Sequence, residues 1–472
     1  MSLPNPASLH ALLTHPQLAS LLSNHPNDLK LSSSSSARIP HDWEEWWEWA
    51  GSYPGTSAEP AWKAVLRAYT SAIAKNGAST ASIPEPLQEL MSRVKESEVD
   101  RTPCSISVPV TPLRGMSPKK AHEVIRMTAY VKELLKTPEL SGVRHVVDVG
   151  AGQDAAAPSK KNRRRAPSPT PQNARGTLTH KTVHITPGAL DSTVSKWTTE
   201  LGPADGPIPV FFVALHACGS LTPDIFRMFI SRARRIRDAS SWTPAGACIV
   251  GCCYNLMSSA HDFPLSTAYA DLPNLSEAHL QLAAQMPARW LDSPTSRATA
   301  ELAIRKIVYR ALLDAHLPQT VKTSPLSIST TSENGTTRVY RPRGAPASGS
   351  TATTGSGTGA LHRRLGKLPD GAYASFAHFL AVASERLGVL IEAPPEEDEW
   401  FKRAQSQVEV LHVLRCIMGP SIESAIVADR VVWLREALRG SCVDEVKQWE
   451  VELVGLFDQA AGSARNFAIA IR

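Results

Sequence analysis

Two runs of the chain, "PVFFVALHACG" at 209–219 and "ACIVGCCY" at 247–254, are apolar at consecutive positions rather than at alternate ones. A strand with one wet face alternates, so an unbroken apolar run of this length reads as a strand covered on both sides. That arrangement belongs to a mostly parallel sheet with helices above and below. It predicts an α/β layered domain. "VRHVVDVG" (143–150) and "THKTVHIT" (179–186) have the β-branched content of two further strands. "VELVGLFDQ" and "RNFAIAIR" close the chain one loop apart, which predicts an antiparallel hairpin on a sheet edge.

Helical pattern surrounds these runs. "SPKKAHEVIRMTAYVKELLKT" offers Ser117 as N-cap, Pro118 at the first helical position and an apolar stripe of Val124, Met127, Val131, Leu134 and Leu135. Trp43, Trp46 and Trp47 fall at i, i+3, i+4, a spacing that points to a helix core more than to a stacking surface. Helices are also expected in 288–317, 373–388 and 401–438, the last divided at Gly419 and Pro420. The resulting division is an N-terminal helical region (1–100), an α/β domain (101–316), a Ser/Thr/Gly/Pro-rich linker (317–360), and C-terminal helices with the closing hairpin (361–472). Within the second of these, 155–175 is a basic, proline-rich loop.

The chain has 472 residues and a net charge of +6, but five of its positive charges lie between Lys160 and Arg165. The basicity is local, and it argues only weakly for a nucleic-acid face. Seven cysteines, several of them inside apolar strands, suit a reducing compartment. No charged leader precedes an apolar run, and no segment approaches ~18 consecutive apolar residues. A soluble cytoplasmic or nuclear protein without a membrane partner is expected.

Asp148, Gly150 and Gly152 stand at the carboxyl end of a strand, where doubly wound folds bind ligands. Glycines there permit a tight turn and a close approach of backbone N–H groups to a ligand. His216 and Cys218 end the next apolar strand, and "GCCYNL" ends the one after, so all should lie near one sheet edge. Imidazole and thiols at strand ends can polarise a substrate, bind metal or merely line the core. H-x-C with a distant C-C lacks the paired spacing of a structural zinc site, so no metal is expected.

"MSPKKAHEV", "VVDVGAGQ", "LHACGSLT", "VGCCYNLMS" followed by "FPLS", "ESAIVADRVVWLRE" and "SARNFAIAIR" together resemble the methyltransferase-like 25 family, also described as rRNA adenine dimethylase domain-containing proteins. Several blocks in the right order are more specific than any one of them. The resemblance implies a class I, Rossmann-like, S-adenosylmethionine-dependent methyltransferase sheet with N-terminal and C-terminal helical additions. It implies that Asp148, Gly150, Gly152 and Gln153 face the cofactor, together with Leu215 and Ala217. His216 and Cys218 would stand between cofactor and acceptor as the catalytic candidates. Lys119, Lys120, His122 and Glu123 match the block before the first strand, with a solvated helix face as the competing reading. The methyl acceptor is left open between RNA, protein and small molecule, and so is the oligomeric state.

Two departures stand out. After Gln153 the chain runs into "DAAAPSKKNRRRAPSPTPQNARG", which supplies neither the helix nor the second, acid-ended strand of the family pattern. A β-α-β unit takes ~30 residues or more, so the first such unit is incomplete. Ser220 stands where the family commonly has aspartate. Beside the enzyme reading there are therefore two others: a catalytically silent scaffold for RNA or protein, and an enzyme whose gene model omits an exon between Gln153 and Lys160.

Overall fold

A computed structural model of the protein describes residues 1–29, 31, 39–53, 59–74, 83–108, 115–150, 177–202, 206–235, 241–317, 365–395, 398–439, 448–463 and 466–472. The basic loop at 155–175, nearly all of the 317–360 linker, and the candidate residues Gly152 and Gln153 lie outside them. The chain forms two compact units, one of Met1–His15, Arg93–Met286 and Met418–Arg472, the other of Pro16–Ser92 and Pro287–Ile417. These units interleave along the sequence, whereas composition divides the chain consecutively.

The first unit is built on a five-stranded sheet of β1 (His145–Asp148), β2 (Ile208–Cys218), β3 (Trp242–Cys252), β4 (Val451–Gly455) and β5 (Phe467–Ile471). Their spatial order is β1-β2-β3-β5-β4. The first three are parallel, and the closing hairpin adds β5 antiparallel to β3 with β4 at the edge. The unbroken apolar runs become legible here, because each strand feeds two cores at period two. On β2, Val210, Phe212 and Ala214 face a core completed by the Pro187–Glu200, Leu221–Arg234 and Gly419–Leu438 helices. Phe211, with Val213 and Leu215, faces the other core, which receives Met127 and Leu134 of the Pro118–Leu134 helix. This is a mixed α/β fold with helices on both faces of its sheet.

Ser117 caps the Pro118–Leu134 helix as its sequence suggests, accepting a hydrogen bond from the Lys120 N–H. "THKTVHIT" is not a strand. Val183 is 39% exposed and Leu178, one residue before the run, 88%. β-Branched composition alone does not make a strand where no neighbour pairs with it. The run instead leads into the next helix, whose N-cap Thr186 accepts from Ala189 N–H.

The second unit is helical. Its Glu399–Ile417 helix packs against the Glu44–Ser52, Ala61–Ala74 and Pro294–His316 helices. Ser406 Oγ and Gln407 Nε2 donate to the carbonyls of Ala50 and Trp47 at 2.7 and 3.0 Å. Trp43, Trp46 and Trp47 are buried against one another, with ring centroids 5.2–5.9 Å apart, so the tryptophan stripe is core. Among the described residues one helical stretch, Glu399–Leu438, shared between the two units, is long and apolar enough on average to cross a membrane, although charges such as Arg415 and Glu423 interrupt it. Because 94% of that window is buried inside the protein, it reads as core helix.

Candidate functional site

The carboxyl ends of β1 and β2 meet. Asp148 pairs with Val213, and Val149 N–H donates to the Val213 carbonyl at 2.8 Å. The chain then turns at Gly150, whose φ of +89° suits glycine. A Cβ built there would lie 3.8 Å from the His216 carbonyl oxygen and 3.7 Å from Leu221 Cδ2. Space is therefore ample, and the backbone conformation is what calls for glycine. Asp148 is exposed beside this turn, yet desolvation by the sheet pushes its carboxyl above the usual aspartate value.

β2 is irregular at the site. Ala214 pairs with Ile249 and Ala217 with Gly251, so Leu215 and His216 together stand opposite Val250 alone. Such a bulge resets the alternation of side chains. Without it His216 would follow Ala214 into the opposite core. With it, Ala217 returns to the core of Ala214, and His216 turns toward the Pro118–Leu134 helix, where its Nε2 lies 3.5 Å from Glu123 Oε2.

Glu123 is the centre of this corner. It is 2% exposed, accepts from Ser463 Oγ at 2.7 Å, and has Lys119 Nζ at 4.0 Å. Burial pushes its carboxyl up, but the hydrogen bonds from His216 and Ser463 and the Lys119 charge outweigh it and hold the pKa below the usual glutamate value. Three separate sequence blocks, those of Glu123, His216 and Ser463, thus meet at one carboxylate. Its neighbour His122 accepts from the Asp458 N–H through Nε2 at 3.0 Å, fixing the β4–β5 connection to the same helix. Sequence reasoning matched Glu123 to the block before the first strand, with a solvated helix face as the competing reading, and gave it no role. The signal that could have found it is register, because 123, 127, 131 and 134 form one helical stripe in which Glu123 is the lone charge.

The other candidates divide. Leu215 is partly buried in the core of the Pro118–Leu134 helix. The Ala217 side chain is fully buried, so that residue offers only its backbone, and its carbonyl already accepts from Thr222 Oγ1 at 2.8 Å. Cys218 sits with its sulfur 3.2 Å from Cys252 and 3.6 Å from Cys253. Ser220 donates to Asp262 Oδ2 at 2.6 Å, and Asp262 also faces Arg227 Nη1 at 3.0 Å. A buried carboxylate therefore stands next to Ser220, the position at which the resemblance leads one to expect an aspartate.

The remaining blocks brace these loops. Asp429 accepts from Leu265 N–H (2.8 Å), Ser266 N–H (2.8 Å) and Ser266 Oγ (2.7 Å). Glu423 accepts from Tyr254 Oη at 3.0 Å and pairs with Arg101 at 2.6 Å. Arg430 is buried beneath Gly251, with its guanidinium 5.7 Å from the Tyr254 ring centroid. The role of "ESAIVADRVVWLRE" is thus to hold "GCCYNLMS" and "FPLS" in place.

No family model matches the chain, and no solved structure matches it significantly. Two curated proteins do, each bearing the name "Probable methyltransferase-like protein 25". The mouse protein is 24% identical over 263 residues and the human protein 24% over 262, in each case 54% of this chain and 36% of the relative. The match therefore spans little more than a third of either relative's length. Over about half of its own length, the chain resembles the methyltransferase-like 25 proteins, the family to which its motif blocks point.

Proposed function

We propose that the first unit is a class I, Rossmann-like methyltransferase domain that uses S-adenosylmethionine, with RNA as the first acceptor class to test. The observation that carries this reading is the convergence of Gly150, His216 and Glu123 at one pair of strand ends. S-adenosylmethionine supplies an electrophilic methyl group on a sulfonium, so the protein's share is binding, alignment and exclusion of water. The Gly150 turn fits the cofactor's methionine end, since no side chain blocks the approach to its backbone. Asp148, Gly152 and Gln153 are assigned to the same end. Leu215 and Ala217 border it from β2. His216, with Nε2 held toward Glu123, leaves Nδ1 to accept a proton from the methyl acceptor, and Cys218 lies on the acceptor side.

Calorimetric titration with S-adenosylmethionine tests the proposal. Saturable heat at micromolar to submillimolar ligand is expected, and none at millimolar ligand would overturn it. Substituting His216→Ala should preserve the fold and cofactor binding while abolishing methyl transfer from labelled cofactor to RNA.

A second reading, a catalytically silent scaffold, is favoured by β1 itself. Among the described residues nothing pairs with its outer edge, and Val146 in its middle is 45% exposed, whereas the central apolar residues of β2 and β3 are buried. RNA binding with a steep salt dependence, without cofactor binding, would select this reading. Messenger RNA read across the codons for Gln153 and Asp154 tests the omitted exon.

A further inference from the structure

We infer that Cys218, Cys252 and Cys253 form a three-thiolate zinc site at the carboxyl ends of β2 and β3. Their sulfurs all lie within 4.8 Å of one another. Cys218 and Cys252 are direct partners in the parallel ladder, which puts their side chains on the same face of the sheet. Cys253 is the telling residue. Next in the chain after Cys252, it would point to the opposite face if the strand continued. Its backbone instead takes φ 51° and ψ 52°, and it is the one non-glycine residue with positive φ among those described. That conformation costs on the order of 1 kcal/mol or more for a side-chain-bearing residue. Its effect is to bring a third sulfur to 3.6 Å from Cys218.

The spacing suits a shared cation. A tetrahedral zinc with bonds of ~2.3 Å holds its sulfurs ~3.8 Å apart. Separations of 3.2 and 3.6 Å for two pairs fall somewhat short of that value, and the third pair lies within 4.8 Å, so small side-chain shifts suffice to seat the ion. A Cys218–Cys252 disulfide, the simplest rival, needs two thiols and leaves the strained third unexplained. No fourth cysteine, histidine or carboxylate joins the group among the described residues. Three protein ligands leave a fourth position for water or another exogenous ligand. Cys218 and Cys253 are half-buried, so an ion can reach the site, while Cys252 anchors it from below. The familiar spacing is missing because the ligands are gathered by strand register and a left-handed turn, not by paired knuckles. Binding one Zn2+ by three thiols releases three protons and leaves the ion with its thiolates at a net charge of −1. The site does not depend on methyl transfer.

The test uses the whole chain, reduced and stripped of metal. Titration with Zn2+ against a chromophoric chelator should give one equivalent bound, with three protons released to a weak buffer. Co2+ in its place should produce the thiolate charge-transfer and intense visible bands of tetrahedral sulfur coordination. Cys253→Ser should weaken Zn2+ binding at least about 100-fold, since ligand loss exceeds the 10–100-fold effect of outer partners, while Cys104→Ser should leave it unchanged. Because the Cys252 variant can fail to fold, alkylation of the wild-type chain supplies an independent readout, with Zn2+ protecting three thiols counted by mass. The proposal is overturned if the reduced chain binds no stoichiometric Zn2+ at micromolar concentration, if Cys253→Ser binds as tightly as wild type, or if a Cys218–Cys252 disulfide persists under reducing conditions.

Discussion

Glu123 shows what one buried charge does in this sheet. A carboxylate at 2% exposure is tolerated only if its oxygens are occupied, and here Ser463 and His216 occupy them. Its pKa is depressed in the folded state, so it stabilises the fold above the usual glutamate pKa, and that contribution is lost as pH falls through the lower folded value. Glu123→Gln keeps the shape but weakens both hydrogen bonds. It should lower stability by about 1–2 kcal/mol at neutral pH, and denaturant titrations should show the gap from wild type closing below about pH 4. Asp429 is the counterpart on the opposite side of the sheet. Asp429→Ala strands the two backbone N–H groups of Leu265 and Ser266, so a loss of about 3 kcal/mol or more is expected. Asp429→Asn, which retains one acceptor oxygen, should lose less. Equal losses in the two variants would show that the hydrogen bonds are not what holds this loop.

At the level of elements, the helical unit has its own pH signature. Burial, then the charge of Arg415, push His412 down to about 4, and burial with the Arg415 and His412 charges pushes His25 down to about 3. Both histidines therefore bind protons more readily when unfolded, and stability should fall as pH drops from about 6.5 toward 4. Glu409 opposes them, since burial pushes it up to about 7 despite the hydrogen bond from Gln405. Ionising it costs stability as pH rises from about 4.5 to 7. Glu409→Gln should thus stabilise the unit at pH 8 and have no effect at pH 4, as read by urea titration of the far-ultraviolet helix signal. The elements themselves were largely legible. Continuous apolar runs announced β2 and β3, and the Ser117–Pro118 pair announced its helix, because local pattern and burial agree there. "THKTVHIT" misled because a strand exists only through its partner, which composition does not reveal. The bulge at Leu215–His216 was equally hidden, being a property of two strands in register. Likewise the three thiols are far apart or wrongly spaced along the chain, and only the register of β2 with β3 and the turn at Cys253 bring them together.

The whole sheet poses the largest question at β1, whose outer edge pairs with nothing among the described residues. Val146 is 45% exposed there, while Phe212 on the adjoining strand is fully buried. If the flank is open in solution, Val146→Lys removes little burial and should change stability by no more than about 0.5 kcal/mol. Phe212→Ala, which empties a packed site between two layers, should cost about 3–5 kcal/mol. A covered flank gives a different pattern. Were Val146 packed beneath residues 151–176 or beneath a partner protein, a lysine there would bury an unpaired charge and cost several kcal/mol. Urea midpoints of these two variants, measured on the intact chain, separate the cases. A near-neutral Val146→Lys means the wall that would complete the crevice is absent, and favours the scaffold reading over the enzyme. A large loss means that something covers β1, and repeating the measurement at several protein concentrations then distinguishes a cover supplied by the chain itself from one supplied by a second copy, since only the latter makes the midpoint depend on concentration.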